Sequence, residues 1–203
     1  MKRSLIYKYP FLYRVIMFVL YGKEYFRRFE TIAFFINNYS SMVELCCGFG
    51  DFYVYALKKK QIDYLGIDLS PNFVEYGRKN GINIIEQDIS NFSFPKSDYY
   101  VIISSLYHFY PNPEIIIKKM LSATAKNVVI VEPIKNLLNS KYRIISRLTS
   151  LLTNEGSGKN NFRFTEESLD KLMKTHFKIN IVNIKKTKNG KEKIFILKNC
   201  GQN

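Results

Sequence analysis

The sequence has few of the residues that build metal sites and disulfide frameworks. Its 203 residues include three cysteines, two histidines and no tryptophan. Cys46 and Cys47 are adjacent, so they do not form a disulfide framework, and a reducing, cytoplasmic compartment is the simpler expectation. No group of Cys and His residues has the spacing of a zinc site, so we predict no metal.

Long apolar runs are also lacking. The run at residues 15–21 is far shorter than the roughly 20 apolar residues that a transmembrane helix needs, so no such segment is predicted. Arg14 interrupts the apolar stretch behind Lys2 and Arg3, and no small-residue cleavage site follows, which argues against a signal peptide. Basic and aromatic residues are mixed here, so weak contact with a membrane surface stays open.

Aromatic side chains and positive charge are abundant. The 16 Phe and 15 Tyr residues bring the aromatic content to 15%, and the 46% hydrophobic content is ample for the core of one domain. A net charge of +14 permits attraction to nucleic acid or anionic lipid. Because the lysines are scattered over predicted helix ends and one hairpin, a nucleic-acid partner is an alternative that we do not favour. The oligomeric state is not predicted.

The chain is organised around residues 43–51, with the sequence Val-Glu-Leu-Cys-Cys-Gly-Phe-Gly-Asp. Residues 42–47 predict a short buried strand, and Gly48 and Gly50 then allow a tight turn. From Asp51 a helical pattern runs to three lysines at 58–60, which suit the negative end of a helix dipole. A strand, glycine turn and helix present backbone N–H groups to a ligand, although an ordinary strand-to-helix turn is the alternative interpretation.

Four more strand patterns follow this turn, with helical patterns between them. They are predicted at residues 63–68, 82–86, 98–104 and 127–132. Such alternation predicts a parallel sheet with helices on both faces, whose ligand lies at the carboxyl ends of the strands. Asp68, Asp88 and residues 104–109 all fall at that edge.

Two further regions flank the predicted sheet. At the amino terminus we expect two helices, hinged near Gly22, whose aromatic residues roof a substrate pocket. Plain core packing, without a role in substrate binding, is the alternative. At the other end, Thr165 is the expected N-cap of a helix, and residues 179–184 and 194–197 pair as a hairpin. Residues 135–164, with a helix expected at 140–152, are longer than a connection requires, which is typical of a lid.

Over residues 42–195 the chain resembles the class I S-adenosylmethionine-dependent methyltransferases. The family's acid–apolar–Gly-Cys-Gly-x-Gly pattern stands at residues 44–50 as Glu-Leu-Cys-Cys-Gly-Phe-Gly. Cys46 occupies the position of the family's first glycine, which puts one backbone contact with the methionine amino group in doubt. The family's second-strand acid is matched by Asp68 and its third-strand acid by Asp88.

The resemblance implies an α/β, Rossmann-like, seven-stranded and mostly parallel sheet with an antiparallel final hairpin. One methyltransferase domain at 1–203 is expected. Its parts are a helical cap at 1–38, a cofactor-binding half at 39–134, a lid insert at 135–164 and a last helix and hairpin at 165–203.

The implied cofactor is S-adenosyl-L-methionine. In the family the acid matched by Asp68 binds the ribose hydroxyls, and one carboxylate can accept hydrogen bonds from both. The acid matched by Asp88 binds the adenine amino group. The predicted cofactor-binding residues are Glu44, Leu45, Cys46, Gly48, Gly50, Asp68, Leu69, Asp88, Ile89 and Ser104.

A nicotinamide dehydrogenase is the rival for the glycine turn. Its fingerprint is Gly-x-Gly-x-x-Gly, but Tyr53 stands here at the third glycine position. The third-strand acid Asp88 and the segment at 104–109 also fit the methyltransferase better.

His108 follows the fourth strand and is the candidate catalytic base or substrate-orienting residue. A hydrogen-bonded structural histidine is the alternative. The candidate substrate-binding residues are Tyr21, Tyr25, Tyr107 and Arg163, although Arg163 is equally consistent with a solvated charge.

The motif Asp/Asn-Pro-Pro-aromatic of amino-methylating nucleic-acid enzymes is absent, as is a Pro-Cys nucleophile. We therefore expect a small-molecule or lipid-like acceptor. The alternatives are an RNA-modifying methyltransferase and a non-catalytic binding module.

Overall fold

The computed structural model describes residues 11, 14, 15, 17, 18, 22–134 and 162–200. One sheet of seven strands lies at its centre. The strands are β1 (Ser41–Leu45), β2 (Asp63–Asp68), β3 (Ile84–Glu86), β4 (Ser97–Ile103), β5 (Thr124–Pro133), β6 (Ile181–Lys186) and β7 (Glu192–Lys198).

The strand order is β3-β2-β1-β4-β5-β7-β6. Strands β1 to β5 pair in parallel, and β7 is antiparallel to both β5 and β6. The predicted fold class is confirmed, including the antiparallel final hairpin. The order reverses between β1 and β4, so the chain leaves the carboxyl ends of these two strands toward opposite faces of the sheet, which leaves a crevice for a ligand.

The central strands are buried on both faces, as parallel strands covered by helices must be. In β4, Tyr99 and Val101 pack into one hydrophobic cluster, while Tyr100 and Ile102 pack into a cluster on the opposite face. This alternation follows from the two-residue repeat of a strand. The apolar runs that predicted these strands therefore serve two separate layers of core.

Four α-helices with complete bounds in the described ranges surround the sheet: α1 (Glu24–Ala33), α2 (Pro71–Lys79), α3 (Pro113–Ala123) and α4 (Glu166–Phe177). Their positions agree with the helical patterns to within a few residues. Helix α4 begins as predicted at Thr165, whose side chain accepts a hydrogen bond from the backbone N–H of Ser168 at 3.1 Å. The Ser168 hydroxyl accepts one from the Thr165 N–H in return, which forms a capping box.

The helix after the glycine turn differs from the regular α-helix that the pattern predicts. It is a π-helix at Tyr53–Leu57, followed by a 3-10 turn at Lys58–Lys60. Phe52 and Leu57 are both fully buried, and the i to i+5 repeat of a π-helix keeps residues five apart closer to one face than an α-helix does. The wider helix is thus compatible with burying both side chains in the same core.

Helix α1 covers the sheet beside the crevice. Its buried residues Tyr25, Phe29 and Ile32 belong to the same cluster as Phe52 and Leu57. The second predicted N-terminal helix is thereby found at Glu24–Ala33, next to the glycine turn. Most of the first predicted helix and Tyr21 lie outside the described residues, as do residues 135–161 of the expected lid and its helix at 140–152.

None of the helices in the described ranges combines the length and the hydropathy that crossing a membrane would require. The division of the chain into a cap, a cofactor-binding half, a lid and a final hairpin stays a prediction.

Candidate active site at the carboxyl edge of the sheet

A cavity of about 470 Å³ lies at the carboxyl ends of β1, β2, β3 and β4. The predicted cofactor residues that line it are Glu44, Cys46, Gly48, Asp68, Leu69, Asp88, Ile89 and Ser104. Leu45 does not line the cavity, because its side chain is completely buried in the core. Gly50 does not line it either, and a Cβ there would lie 2.9 Å from the Cδ1 atom of Ile82. The glycine at position 50 therefore serves packing.

The glycine turn contains three residues with left-handed backbone conformations. Gly48 has φ of +58° and Gly50 has φ of +76°. Cys46, which stands where the resembled family has its first glycine, has φ of +54°. The chain thus keeps a glycine-like backbone at position 46 although a side chain is present.

Asp68 is held by backbone donors at the end of β2. Its Oδ2 atom accepts a hydrogen bond from the Gly48 N–H at 2.8 Å, and its Oδ1 atom accepts one from the Ser70 N–H at 2.8 Å. These bonds join the glycine turn to the start of α2 and fix the carboxylate at the cavity wall. Each carboxylate oxygen has further acceptor capacity, so a bound diol still finds an acceptor here.

Asp88 lies further along the wall. Its Oδ1 atom accepts a hydrogen bond from the Ser90 N–H at 2.9 Å, and it caps the short 3-10 turn at Ile89–Asn91. The third-strand acid is therefore oriented by the backbone of its own loop.

Glu44 is buried beneath the turn and accepts a hydrogen bond from the Tyr64 hydroxyl at 2.6 Å. Burial raises the pKa of Glu44 to about 8, although the Tyr64 hydroxyl opposes the rise. Near neutral pH the side chain is therefore largely protonated, which lets it remain in the core beside Asp51 and Asp68.

Sequence reasoning missed a network that joins the N-terminal region to the turn. Asp51 accepts hydrogen bonds from Arg14 through Oδ1, at 2.9 Å from Nε and 2.5 Å from the terminal nitrogen, and from the Tyr25 hydroxyl through Oδ2 at 2.8 Å. Arg14 also donates to the Tyr76 hydroxyl at 3.0 Å. In the sequence, Asp51 could be recognised only as the start of a helix, because its hydrogen-bond partners lie 26 and 37 positions away along the chain.

A second missed feature is a buried ion pair. Arg28 of α1 donates to Oε1 of Glu192 of β7 at 2.7 Å, and both side chains are at least 94% buried. The Ser104 hydroxyl donates to the same oxygen at 3.2 Å. The guanidinium carbon of Arg28 lies 4.7 Å from the ring centroid of Tyr25 and 4.8 Å from that of Phe29. Among the described lining residues, Arg28 is the only arginine or lysine.

The loop after β4 is positioned by another buried acid. Glu132 accepts a hydrogen bond from the Leu106 N–H at 2.6 Å. Burial raises the pKa of Glu132 to about 8, despite the opposing bonds from the Leu106 and Ser105 N–H groups. Ser104 has φ of +53°, so the chain turns sharply here and directs Tyr107 and His108 to the cavity wall.

His108 lines the cavity, but it is a weak base. Desolvation at the cavity wall lowers its pKa to about 4, and the positive charge of Arg163 adds to the effect, although part of the residue stays exposed to solvent. Its ring centroid is 4.0 Å from that of Tyr107. At neutral pH the imidazole is therefore uncharged.

Only some of the predicted substrate-binding residues line the cavity. Tyr25 and Tyr107 line the cavity, whereas Tyr21 is outside the described residues. Arg163 does not line the cavity, but its guanidinium carbon lies 3.8 Å from the ring centroid of Tyr107. Within the ranges described, no cluster of three or more His, Cys, Asp and Glu residues is arranged to hold a metal ion.

Comparison with known proteins agrees with this geometry. Residues 42–127 match the family model described as a methyltransferase domain. No curated protein sequence matches the chain.

Solved structures that share the fold include magnesium protoporphyrin IX methyltransferase of Synechocystis PCC 6803 with bound SAH. The TM-score is 0.66 at 13% identity, and 92% of each chain is covered. The plantazolicin methyltransferase BpumL, in complex with a monoazolic desmethylPZN analog and SAH, has a TM-score of 0.68 at 18% identity. This alignment covers 92% of the present chain and 90% of BpumL. The [4+2]-cyclase SpnF has a TM-score of 0.60 at 15% identity, with 82% of this chain and 61% of that chain covered.

Residues 42–127 thus match the model of a methyltransferase domain, and the chain as a whole has the fold of the class I S-adenosylmethionine-dependent methyltransferases. The resemblance predicted from residues 44–50 is confirmed. Two of the structural neighbours contain SAH, in agreement with the predicted cofactor.

Proposed function

We propose that the protein transfers the methyl group of S-adenosyl-L-methionine to a small-molecule or lipid-like acceptor. The observation that carries the proposal is the convergence of Glu44, Gly48, Asp68 and Asp88 on one cavity, at the edge where this fold binds its ligands. These residues come from three separate segments of the chain: the end of β1 with its glycine turn, the end of β2, and the loop after β3. A scaffold protein would not need this set together.

The residues fit the two ends of the cofactor. We assign the ribose hydroxyls to the carboxylate of Asp68 and the adenine amino group to that of Asp88. At the other end, Arg28 supplies the positive charge that the methionine carboxylate requires, since charge-assisted bonds of a guanidinium to a carboxylate are strong. Arg28 is shielded by Tyr25 and Phe29, which strengthens such a bond.

When bound, the cofactor supplies a methyl group activated by the adjacent cationic sulfur. The protein then has to hold a nucleophile in line with it. Positioning of this kind contributes about 7–11 kcal/mol, whereas a general base contributes roughly 3–5 kcal/mol. We assign His108 to orienting the acceptor, because its low pKa makes it a weak base near neutral pH.

The acceptor side of the cavity is largely apolar and aromatic. Its wall includes Met17, Tyr25, Phe29, Ile103 and Phe109. A small apolar acceptor gains binding energy on such a surface, whereas a folded RNA would need an extended positive one. The substrate preference for a small molecule or lipid rests on this wall.

The RNA-modifying alternative draws on the net charge of +14. It predicts binding that weakens steeply as salt rises, and a titration with RNA at two salt concentrations tests it. The alternative of a non-catalytic module rests on the general rule that a fold does not by itself determine an activity. It predicts cofactor binding without turnover.

The test of the cofactor site is calorimetric titration with S-adenosylmethionine and its demethylated product. We expect binding by the wild type, and a loss of at least about tenfold in Asp68→Asn, since a charge-assisted bond is worth roughly 1.5–3 kcal/mol. Asp63→Asn is the matched control, because Asp63 is exposed at the opposite end of the same strand. Absence of binding to the wild type at millimolar ligand would contradict the proposal.

A further inference from the structure

The last three residues of the predicted lid, 162–164, are held against the loop after β4 by stacked aromatic rings. Phe162 stacks on Tyr110 with ring centroids 4.0 Å apart and planes inclined by 16°. Phe164 is buried and meets Phe162 edge to face at 5.0 Å. Arg163, between these two anchored residues, is therefore held in place before any ligand arrives.

The guanidinium of Arg163 lies over the ring of Tyr107, which lines the cavity. The guanidinium carbon is 3.8 Å from the Tyr107 ring centroid, and one terminal nitrogen donates to the Phe162 carbonyl at 2.7 Å. A guanidinium has five N–H donors, so Arg163 can donate further hydrogen bonds to a ligand. The side chain is partly exposed.

The charge of Arg163 is not matched by a carboxylate among the described residues. Arg14, Arg27 and Arg28 form ion pairs with Asp51, Glu24 and Glu192, whereas none is found for Arg163 in the described ranges. The nearby Glu132 is buried and largely protonated near neutral pH. The positively charged guanidinium of Arg163 thus lies at the rim of the cavity, beside the neutral imidazole of His108.

We propose that the acceptor carries a carboxylate on a flat apolar body, and that Arg163 and His108 bind this carboxylate at the rim of the cavity. The aromatic wall formed by Tyr25, Phe29 and Phe109 accommodates the flat body. A single guanidinium matches a single negative charge and presents two parallel donors to a carboxylate. A neutral imidazole adds one N–H donor without repelling Arg163. This inference rests on the proposed function and specifies its substrate class.

The test uses three probes that share a naphthalene body: 2-naphthoate, 2-naphthamide and 2-naphthyl phosphate. Each is titrated into the full-length protein with and without saturating SAH. We expect 2-naphthoate to bind about tenfold more tightly than 2-naphthamide, the effect of one charge-assisted hydrogen-bond pair. Arg163→Gln should bring this ratio close to one.

Lys174→Gln is the control, because it removes the same charge from an exposed position on α4 and should leave the ratio unchanged. Four results would each overturn the proposal. They are equal binding of 2-naphthoate and 2-naphthamide, an affinity ratio that is retained in Arg163→Gln, tighter binding of 2-naphthyl phosphate than of 2-naphthoate, and no binding of 2-naphthoate at 10 mM (about the weakest range of interest). The titration with SAH alone reports separately on the proposed function. Failure of SAH to bind is therefore distinguishable from failure of the acceptor class.

Discussion

At the residue scale, Cys46 adopts a backbone conformation that glycine adopts more readily. Its φ of +54° places Cβ close to the following carbonyl oxygen, which costs about 1–2 kcal/mol for an L-residue. The side chain packs partly against the core and the residue lines the cavity. The sequence showed that Cys46 departs from the family pattern, but not that the backbone stays glycine-like.

We predict that glycine is the better small residue at position 46. Cys46→Gly should be more stable to unfolding than Cys46→Ala by about 1 kcal/mol, because only glycine is free of the left-handed strain. Elsewhere in a helix or strand the order is reversed, with glycine the worse by roughly 0.5–1 kcal/mol. Urea unfolding of the two variants measures the difference. A more stable alanine variant would contradict the account.

Glu132 predicts a pH dependence of stability. Its pKa is raised from the usual 4.5 to about 8, so the folded state binds more protons than the unfolded state between these values. The contribution of Glu132 to the free energy of unfolding should therefore fall as the pH rises from about 5 to 8.5. In Glu132→Gln the amide oxygen still accepts the Leu106 N–H, but the group cannot titrate, so the fall should be smaller.

The comparison needs urea unfolding of both proteins at pH 5 and pH 8.5. Glu44 also has a raised pKa and contributes a similar fall to both proteins, so it cancels in the difference. Parallel pH profiles for wild type and Glu132→Gln would show that Glu132 does not carry the raised pKa.

At the element scale, helix α1 is joined to strand β7 by the ion pair between Arg28 and Glu192. The two residues are 164 positions apart, and neither stands in a recognisable motif. The sequence predicted that α1 covers the pocket, from the spacing of its aromatic residues. It did not predict the buried ion pair, because the pair exists only after β7 has inserted beside β5.

Breaking this pair should be costly. In Arg28→Met, Glu192 is left buried without its counter-charge, and the free energy of unfolding should fall by about 3–5 kcal/mol. The double variant Arg28→Met/Glu192→Gln should recover most of the loss, since the uncompensated charge is gone. Denaturant unfolding of the single and double variants measures both effects.

The matched control is the exposed pair of Lys79 with Glu75 on α2, at 2.6 Å. Lys79→Met removes a charge from an ion pair of similar length, but solvent screens that pair, so stability should change far less. If Arg28→Met lowered the free energy of unfolding as little as Lys79→Met does, the ion pair of Arg28 with Glu192 would not be the contact that holds α1 on the sheet.

At the scale of the whole molecule, local patterns predicted more of the fold than of the site. Apolar runs, Pro71 at a helix start and the Asn189-Gly190 turn are local signals, and each lies where the pattern placed it. The cofactor acids were predicted because each follows a strand. In contrast, the contacts of Asp51 and Arg28 join distant segments, which no local pattern encodes.

A crystal structure of the protein with SAH bound tests the central claim most directly. The account predicts SAH in the cavity, with a ribose hydroxyl about 2.7 Å from an Asp68 carboxylate oxygen, the adenine beside Asp88 and the methionine carboxylate on Arg28. SAH bound at another surface, or an empty cavity at saturating SAH, would contradict the assignment of this cavity as the cofactor site.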